Sequence, residues 1–347
     1  MSVLSLLTPQ KLTVTAILLI CLNVSALAQQ GEQTLPAQEA EQTLPAQQAD
    51  KPTKQANDTT LEIAPDSTLD TAINTDAKAT QSTRVKALLP VPLTQQHKDD
   101  LAHYLPANKI KPLLAGPDDY ITLITDNLSV NTKGVAILVP DWQQGATNPK
   151  AINFLRNTLP QDGWTTISIQ PMNKPQHYPS TALTLTEQQE ENKAIIDSYQ
   201  VTFGAMLNAV LDKSNEYPGV VMIIAQGHHG AMVLDILAGN NEQVSITKQP
   251  NAVVLLSSYV LTNHLLLDES NTAFAHTLAL SEYPVLDLLL RFDNPVVLNK
   301  AKQRLALSKK EMKVYYRQRQ LNNTSVGYYP EQELRKQING WLKAIGL

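Results

Sequence analysis

The chain has 347 residues, of which 43% are hydrophobic and 17% charged, and its formal net charge at pH 7 is −4. This mildly acidic balance, without a basic stripe, argues against nucleic acid and anionic membrane surfaces as partners.

The N-terminus has the pattern of a secretory signal peptide over residues 1–28. Lys11 precedes the apolar residues 12–24, and a small-x-small pattern ends at Ala28. The apolar stretch is shorter than the roughly 20 residues that a spanning helix needs. We therefore expect export, cleavage after Ala28 and no membrane span afterwards, with the periplasm as the destination and full secretion as the alternative. The only cysteine, Cys21, lies inside this segment, so the mature chain would lack disulfides, thiolate metal sites and a cysteine nucleophile.

Residues 29–85 form a low-complexity segment rich in Gln, Ala, Thr, Pro, Asp and Glu. The heptamer EQTLPAQ occurs at Glu32–Gln38 and again at Glu41–Gln47. Such a composition buries too little apolar surface to offset the entropy of ordering. We predict a disordered tether, with a spacer or docking tail as the functional alternative.

Residues 86–347 are long enough for one domain with a sizeable core. Apolar runs of strand length are Tyr120–Ile124, Gly134–Val139, Trp164–Ile169, Gly219–Ala225, Ala252–Leu256, Pro284–Leu290 and Met312–Arg319. Helical patterns run from Pro149 to Asp162, Glu187 to Leu211, Gly230 to Ala238 and Glu331 to Ile345. Strands that alternate with helices predict an α/β fold with a doubly wound, mostly parallel sheet.

Several short segments occur in an order that resembles a known family. They are Gly134–Asp141, Leu159–Trp164 leading into Thr165–Ile169, the Gly230–Ala231 turn, Tyr283–Asp287 and Gly340–Leu342. Together they look like the proteobacterial α/β-hydrolase-like proteins of domain of unknown function 3530 (DUF3530). The resemblance implies a sheet of the α/β-hydrolase type and an exported protein. It implies no biochemical activity, because the family has none assigned.

Residues 221–239 have the strand, glycine turn and helix on which α/β-hydrolases place a nucleophile in the pattern G-x-S-x-G. The turn offers no Ser, Cys or Asp. Residues 226–230 place His228 at the apex and residues 227–231 place His229 there, and we prefer the first register. Imidazole can act as nucleophile, base or metal ligand, although adjacent side chains diverge and at most one would face a given metal. Alternatively, one imidazole fills the turn and bonds the backbone while the other caps the helix or faces solvent.

Asp293 follows a predicted strand at the place of a hydrolase triad acid. There it would orient a catalytic His, or it would accept backbone N–H bonds in a turn with Asn294 and Pro295. All seven histidines precede Asp293, and the loop at residues 321–329, where the catalytic His belongs, contains none. With nucleophile and base both absent, we predict a protein without Ser-hydrolase activity, and more generally one that is not an enzyme.

Other cofactor and metal chemistries lack their motifs. The chain has no H-E-x-x-H, no P-loop and no G-x-G-x-x-G after a strand, so we expect no cofactor and no metal site. His264 and His276 flank an acidic segment and could bind a cation, but their spacing matches no known ligand pattern, and solvated loop residues are the preferred interpretation. Asp287 lies inside a predicted strand and receives no role.

The candidate ligand-binding residues are Asp141, Trp142, Gln143 and Gln226. The first three follow a buried strand, at the edge where open α/β sheets bind ligands. They would line a crevice together with His228 and Asp293.

Two functions are consistent with the sequence. The first is an exported, catalytically silent protein that binds a small ligand or an envelope partner through this crevice. The alternative is an esterase-like hydrolase with a nonstandard site, which would use His228 or His229 with Asp293 or Asp141.

Overall fold

The computed structural model describes residues 90–116 and 118–347, so the predicted signal peptide and tether lie outside the described residues. The strands are β1 (Ile110–Ala115), β2 (Asp118–Thr125), β3 (Gly134–Val139), β4 (Trp164–Ile169), β5 (Val220–Gln226), β6 (Ala252–Leu256), β7 (Val285–Leu290) and β8 (Tyr316–Leu321). The α-helices are α1 (Leu93–Tyr104), α2 (Ile152–Thr158), α3 (Leu185–Ser214), α4 (Gly227–Leu237), α5 (Leu267–Leu280), α6 (Pro295–Lys310) and α7 (Glu331–Ala344). Short 3₁₀ helices occur at Ala107–Lys109 and Leu159–Asp162.

All eight strands form one sheet in the order β1-β2-β4-β3-β5-β6-β7-β8. β2 runs antiparallel to both of its neighbours, and the remaining pairs are parallel. This is the doubly wound, mostly parallel sheet of the α/β-hydrolase type that the sequence predicts. Because β3, β5, β6, β7 and β8 are parallel, their carboxyl ends meet at one edge, where the candidate site residues lie.

Helices cover both faces of the sheet because the central strands are apolar on both sides. In β3, Val135, Ile137 and Val139 face one core, while Ala136 and Leu138 face the other, as the two-residue period of a strand requires. α3, α4 and α5 pack on the first face, and α2 and α7 pack on the second.

Sequence analysis did not predict four of the helices and strands, and it placed one strand at the wrong position. β1, α1, α5 and α6 were not predicted, and the segment around His276, interpreted as a solvated loop, is the helix α5. β8 begins at Tyr316, four residues after the predicted start. The reason is local: Met312 and Tyr315 have left-handed backbone with φ of 50° and 59°, which ends α6 and turns the chain before the strand.

Within the described ranges, no helix combines the length and apolar character that crossing a membrane requires.

Candidate functional site

The turn between β5 and α4 has its sharp point at Gly227. This residue has φ of +58°, a left-handed conformation that glycine adopts without steric cost. The predicted registers, with His228 or His229 at the apex, are therefore wrong by one and two residues. Neither imidazole projects from the apex, because the apex residue has no side chain.

The Asp141 carboxylate, from the loop after β3, fills the space above Gly227. A Cβ atom at position 227 would lie 2.5 Å from both Cγ and Oδ2 of Asp141. Oδ1 of Asp141 accepts hydrogen bonds from the backbone N–H groups of Trp142 and His228, each at 3.0 Å. A hydrolase uses an N–H after its nucleophile and one from the β3 loop to hold an oxyanion. In this chain such donors bind an internal carboxylate instead.

Burial of Asp141 disfavours the ionised form of its carboxyl group. Burial raises its pKa from 3.8 to about 6, although the backbone N–H groups of Trp142, His228 and His229 and the positive charge of Lys150 act in the opposite direction. Its carboxyl group therefore titrates well above the range of an exposed Asp.

His229 is a core residue. Its Nδ1 donates to the Pro140 carbonyl at 2.6 Å, and its Nε2 lies 2.9 Å from the Tyr199 hydroxyl. The ring stacks on Phe203 with centroids 4.6 Å apart, and burial lowers its pKa to about 4. Both ring nitrogens are thus engaged, and His229 joins α4 to the end of β3 and to α3.

His228 is buried as well, on the other side of the turn. Its Nδ1 accepts a hydrogen bond from the Leu261 backbone N–H at 3.0 Å, and its ring packs on Trp142 with centroids 4.0 Å apart. Neither His228 nor His229 caps the helix or faces solvent, so that part of the alternative interpretation is wrong. In the described part of the chain, neither imidazole pairs with a carboxylate.

The remaining crevice candidates do not converge on one point. Gln226 accepts a hydrogen bond from Asn148 at 2.9 Å and is buried beside the turn. Trp142 is also buried and contacts the rings of Tyr178 and Tyr199 as well as both imidazoles. Gln143 is exposed. The structure thus brings Asp141, Trp142 and His228 together and leaves Gln143 at the surface.

Asp293 lies after β7 and is bound by side-chain and backbone donors. Its Oδ2 accepts from the Ser257 hydroxyl at 2.6 Å and from the Leu290 N–H at 2.8 Å, and its Oδ1 accepts from the Asn294 N–H at 2.7 Å. Burial is the largest influence on its pKa, which is raised above the usual value despite these bonds.

Ser257 and Tyr329 are site residues that sequence reasoning missed. The Ser257 hydroxyl lies 2.5 Å from that of Tyr329, which belongs to the loop where a catalytic His was sought. Ser257 follows β6 directly and has a left-handed φ of 47°, which is strained for a residue with a side chain. Its position at the carboxyl end of a buried strand was the available signal. Asp293, Ser257 and Tyr329 thus form a hydrogen-bonded chain across the ends of β6, β7 and β8.

The pKa of the Tyr259 hydroxyl is influenced by both acidic residues of this edge. Burial raises the pKa of its hydroxyl, and the charges of Asp141 and Asp293 both add to the rise.

Asp287, His264 and His276 lie outside this edge. Asp287, given no role from sequence, is fully buried, where it faces Arg304 at 3.4 Å and accepts from the Tyr316 hydroxyl and Gln318 amide at 3.0 Å each. His264 is exposed, and His276 lies on α5. Within residues 90–116 and 118–347, no group of three potential ligands is placed to bind a metal.

Several solved structures that are similar to this chain are hydrolases, and their sequence identity to it is low. A dienelactone hydrolase from Anabaena variabilis is 14% identical over 68% of this chain and 96% of its own, with a TM-score of 0.45. A serine hydrolase homologue from Coxiella burnetii is 10% identical over 68% and 97%, with a TM-score of 0.45. Esterase 2 of Thermogutta terrifontis, bound to propionate, is 13% identical over 68% and 94%, with a TM-score of 0.47.

The sequence itself matches a family model. No curated protein matches the chain. The model described as "Protein of unknown function (DUF3530)" matches residues 11–344, nearly the whole length. The chain therefore belongs to the DUF3530 family.

Proposed function

We propose that the chain is an exported, non-catalytic protein with an α/β-hydrolase-like fold that acts by binding a ligand or an envelope partner. The observation that best supports this is the Asp141 carboxylate above Gly227. Ser-type acyl transfer needs a nucleophile at that place and free N–H donors for the oxyanion. Here the space is filled, and the donors already bind a negative charge.

The acid and base positions support the same proposal. Asp293 accepts three hydrogen bonds, and the loop after β8 contributes the Tyr329 hydroxyl in place of an imidazole. The version of a hydrolase site that uses His228 or His229 is less favoured, because among the described residues neither ring hydrogen-bonds to a carboxylate.

A second candidate function is an esterase-like hydrolase that uses Ser257. Its hydroxyl donates to Asp293 at 2.6 Å, and its strained backbone is of a kind found at functional sites. Against it, the Tyr329 hydroxyl lies 2.5 Å from the same oxygen, and among the described residues the Ser257 hydroxyl has no hydrogen bond to an imidazole. The first proposal is therefore preferred.

A hydrolysis assay separates the two candidates. Purified residues 29–347 are incubated with p-nitrophenyl acetate and butyrate and, separately, with a fluorophosphonate probe for reactive serines. We expect no turnover above buffer and no labelling. Turnover or labelling that disappears in Ser257→Ala, or in His228→Ala with His229→Ala, would overturn the proposal and identify the residues responsible.

Export rests on the pattern of residues 1–28 and is tested on the full chain. Expressed in a Gram-negative bacterium, the protein should appear in the periplasmic fraction with Gln29 as its first residue by mass spectrometry. An intact Met1 in the cytoplasmic fraction would contradict export while leaving the proposal on catalysis intact.

A further inference from the structure

Three large hydrophobic side chains are exposed together at the turn between α6 and β8. Met312, Val314 and Tyr315 are 84%, 67% and 57% exposed. Single exposed hydrophobic residues are common on protein surfaces, whereas a cluster of them indicates a site that contacts a partner. We call these three side chains the apolar tip.

Contacts on the inner side of the turn fix the conformation of the apolar tip. The Lys313 ammonium group donates to the Ser281 hydroxyl at 2.7 Å and to the carbonyls of Ser281 and Tyr283. The backbone N–H groups of Met312 and Lys313 bond to carbonyls in the last turn of α6. Lys313 thus holds the turn from below, while Met312 and Val314 on either side of it stay exposed. Such a preformed surface loses less conformational entropy when it binds a partner.

Basic residues flank the apolar tip on both sides. Lys309 and Lys310 lie in the last turn of α6, and Arg317 and Arg319 lie in β8. Arg317 is half-buried and the other three are exposed, and among the described residues none of the four is in an ion pair. Glu311 is the only acidic residue of this stretch, which contains five basic ones. The surface around the tip is therefore positively charged.

This surface differs in sign from the chain as a whole. Glu282 lies between the two residues that Lys313 contacts and adds a second acidic group, so five basic residues outnumber two acidic ones. The net charge of −4 predicts no affinity for anionic surfaces. However, screening at physiological ionic strength has a length of about 8 Å, so distant acidic residues have little influence here. The overall charge is therefore a poor guide to what this surface binds.

We propose that the apolar tip and the basic residues around it dock the protein on an anionic phospholipid bilayer. The hydrophobic side chains enter the boundary between headgroups and acyl chains, and the basic side chains bind lipid phosphates. Tyr315 suits this depth because its ring is apolar and its hydroxyl is polar. A nucleic acid would use the basic groups, but it gives no reason for the exposure of Met312 and Val314, so a lipid surface is favoured.

The docking surface lies at the edge of the sheet opposite to the candidate site. The turn precedes β8 and is therefore at the amino ends of the parallel strands β7 and β8. Asp141 and Asp293 follow β3 and β7, at the carboxyl ends. A docked protein would keep that edge free. The inference goes beyond the proposed function and does not depend on whether the protein is catalytic, so the hydrolysis assay succeeds or fails independently of it.

Flotation with vesicles tests the proposal. Purified residues 29–347 are mixed with vesicles of phosphatidylglycerol and phosphatidylethanolamine in equal amounts, or with vesicles in which phosphatidylcholine replaces phosphatidylglycerol. We expect binding to the anionic vesicles alone, and weaker binding as the salt concentration rises. Equal binding to both kinds of vesicle, or binding to neither, would overturn the proposal.

Charge variants test the basic residues. Lys309→Gln with Lys310→Gln removes two positive charges beside the apolar tip and should weaken binding to the anionic vesicles about 30-fold. Lys109→Gln with Lys111→Gln is the matched control, because both lysines are exposed beside or within β1, at the opposite end of the sheet. The control should bind as wild type does. Equal weakening by both pairs would mean that the overall charge governs binding, against the proposal.

A neutral double variant tests the apolar tip. Met312→Asn with Val314→Ser removes apolar contact without a change in charge and should weaken binding about tenfold. Asn tolerates the left-handed backbone at position 312, so the fold should be retained. Leu183→Ser is the control, since Leu183 is 99% exposed in the loop before α3. Unweakened binding by the double variant would overturn the role of the tip.

Oxidation of Met312 reports contact at the tip itself. Among the described residues it is the only exposed methionine, and Met206, Met222 and Met232 are buried. Hydrogen peroxide converts accessible methionine to the sulfoxide, which mass spectrometry locates. We expect the anionic vesicles to slow oxidation of Met312 and to leave the buried methionines unchanged. Bound protein with an unprotected Met312 would contradict insertion of the tip.

Two other partners of this surface are outcomes of the same set of experiments. Tighter binding of duplex DNA than of the anionic vesicles would identify a nucleic-acid surface and overturn the proposal. A dimer in analytical ultracentrifugation that Met312→Asn with Val314→Ser dissociates would identify a second copy of the chain as the partner and also overturn it.

Discussion

On the nucleophile side of the crevice, between β3 and β5, the Asp141 carboxylate fills the space above Gly227. On the acid side, between β6, β7 and β8, Asp293 keeps the place of a triad acid and gains hydroxyl partners. Asp141 is held by backbone N–H groups, which any substitution other than proline leaves in place. Asp293 is held partly by the Ser257 hydroxyl, which lies beside that of Tyr329 and can be deleted.

The comparison shows two ways in which this edge differs physically from the site of a Ser hydrolase. One side depends on a residue without Cβ and on a carboxylate packed against it. The other depends on a hydrogen-bond chain, in which the loss of one link also removes the partner of the next. The first side should therefore respond to substitution as a tightly coupled pair, and the second as a series of modest losses.

The largest expected effect is that of Gly227→Ala. The new Cβ would lie 2.5 Å from Cγ of Asp141, and the left-handed backbone disfavours any side chain. Backbone strain of about 1–2 kcal/mol and displacement of a buried, hydrogen-bonded carboxylate should together lower the free energy of unfolding by about 4 kcal/mol. Urea denaturation followed by circular dichroism measures the change.

A double-mutant cycle isolates the contact with Asp141. In Gly227→Ala combined with Asp141→Ala the clash is absent, so the loss should be smaller than the sum of the two single losses by about 2 kcal/mol. Gly340→Ala is the matched control, because its Cβ would meet nothing within 4 Å on α7 and should stabilise the helix. Additive losses at positions 227 and 141 would show that the two residues are not coupled.

The second largest expected effect is the change in the free energy of unfolding with pH that Asp141 causes. The folded pKa of Asp141, about 6, is above the unfolded value of 3.8. Its contribution to stability is therefore fully present below pH 3.8 and is lost as the pH rises through about 6. The shift corresponds to about 3 kcal/mol. Relative to Asp141→Asn, wild type should lose about that much stability between pH 4 and pH 7.

Asp293→Asn is the control for this pH profile. The pKa of Asp293 is also raised by burial, so both carboxylates act in the same direction. The difference between wild type and each Asn variant assigns the profile to one site. A pH profile that Asp141→Asn leaves unchanged would exclude Asp141 as its source.

The central part of the fold was predictable because its strands are buried on both faces and so appear as continuous apolar runs. β1 escaped because it is an edge strand that contains Lys111 and Pro112 and exposes alternate residues. The polar helix α6 escaped although Asn294 caps its N-terminus and Pro295 occupies its first turn, a recognisable start. Its sequence was instead interpreted as a turn around Asp293.

Some residues of this edge could be located from the sequence, but their contacts could not. Asp141, His228 and Asp293 were all identified, because they follow buried strands. The apex of the elbow was misplaced, since φ at Gly227 is not visible in a segment with two glycines. The contact of His228 with Asp141 spans 87 residues, and that of Ser257 with Tyr329 spans 72, so only the folded sheet brings them together.

On the acid side, Ser257→Ala should reduce stability by about 2 kcal/mol. It removes the donor to Asp293 and leaves the buried Tyr329 hydroxyl without this partner, at the cost expected for an unsatisfied polar group. Thermal unfolding monitored by calorimetry measures the loss. Ser308→Ala is the control, because that buried hydroxyl has no partner in the described residues and its removal should cost little. Equal losses of stability for Ser257→Ala and Ser308→Ala would show that the hydrogen bonds of Ser257 contribute nothing specific to stability.

Tyr329→Phe is expected to give the smallest effect of the series, about 1 kcal/mol. The ring remains packed in the core, and only its hydrogen bond to Ser257 is lost, while the bond from Ser257 to Asp293 remains. Tyr329→Phe should therefore destabilise the protein less than Ser257→Ala. The double variant with both substitutions should be no less stable than Ser257→Ala alone, because both ends of the lost hydrogen bond are then apolar. Calorimetry of the three variants tests this order. A double variant with the sum of both losses would mean that each residue is held by other contacts, and that the two hydroxyls do not act as one hydrogen-bonded chain.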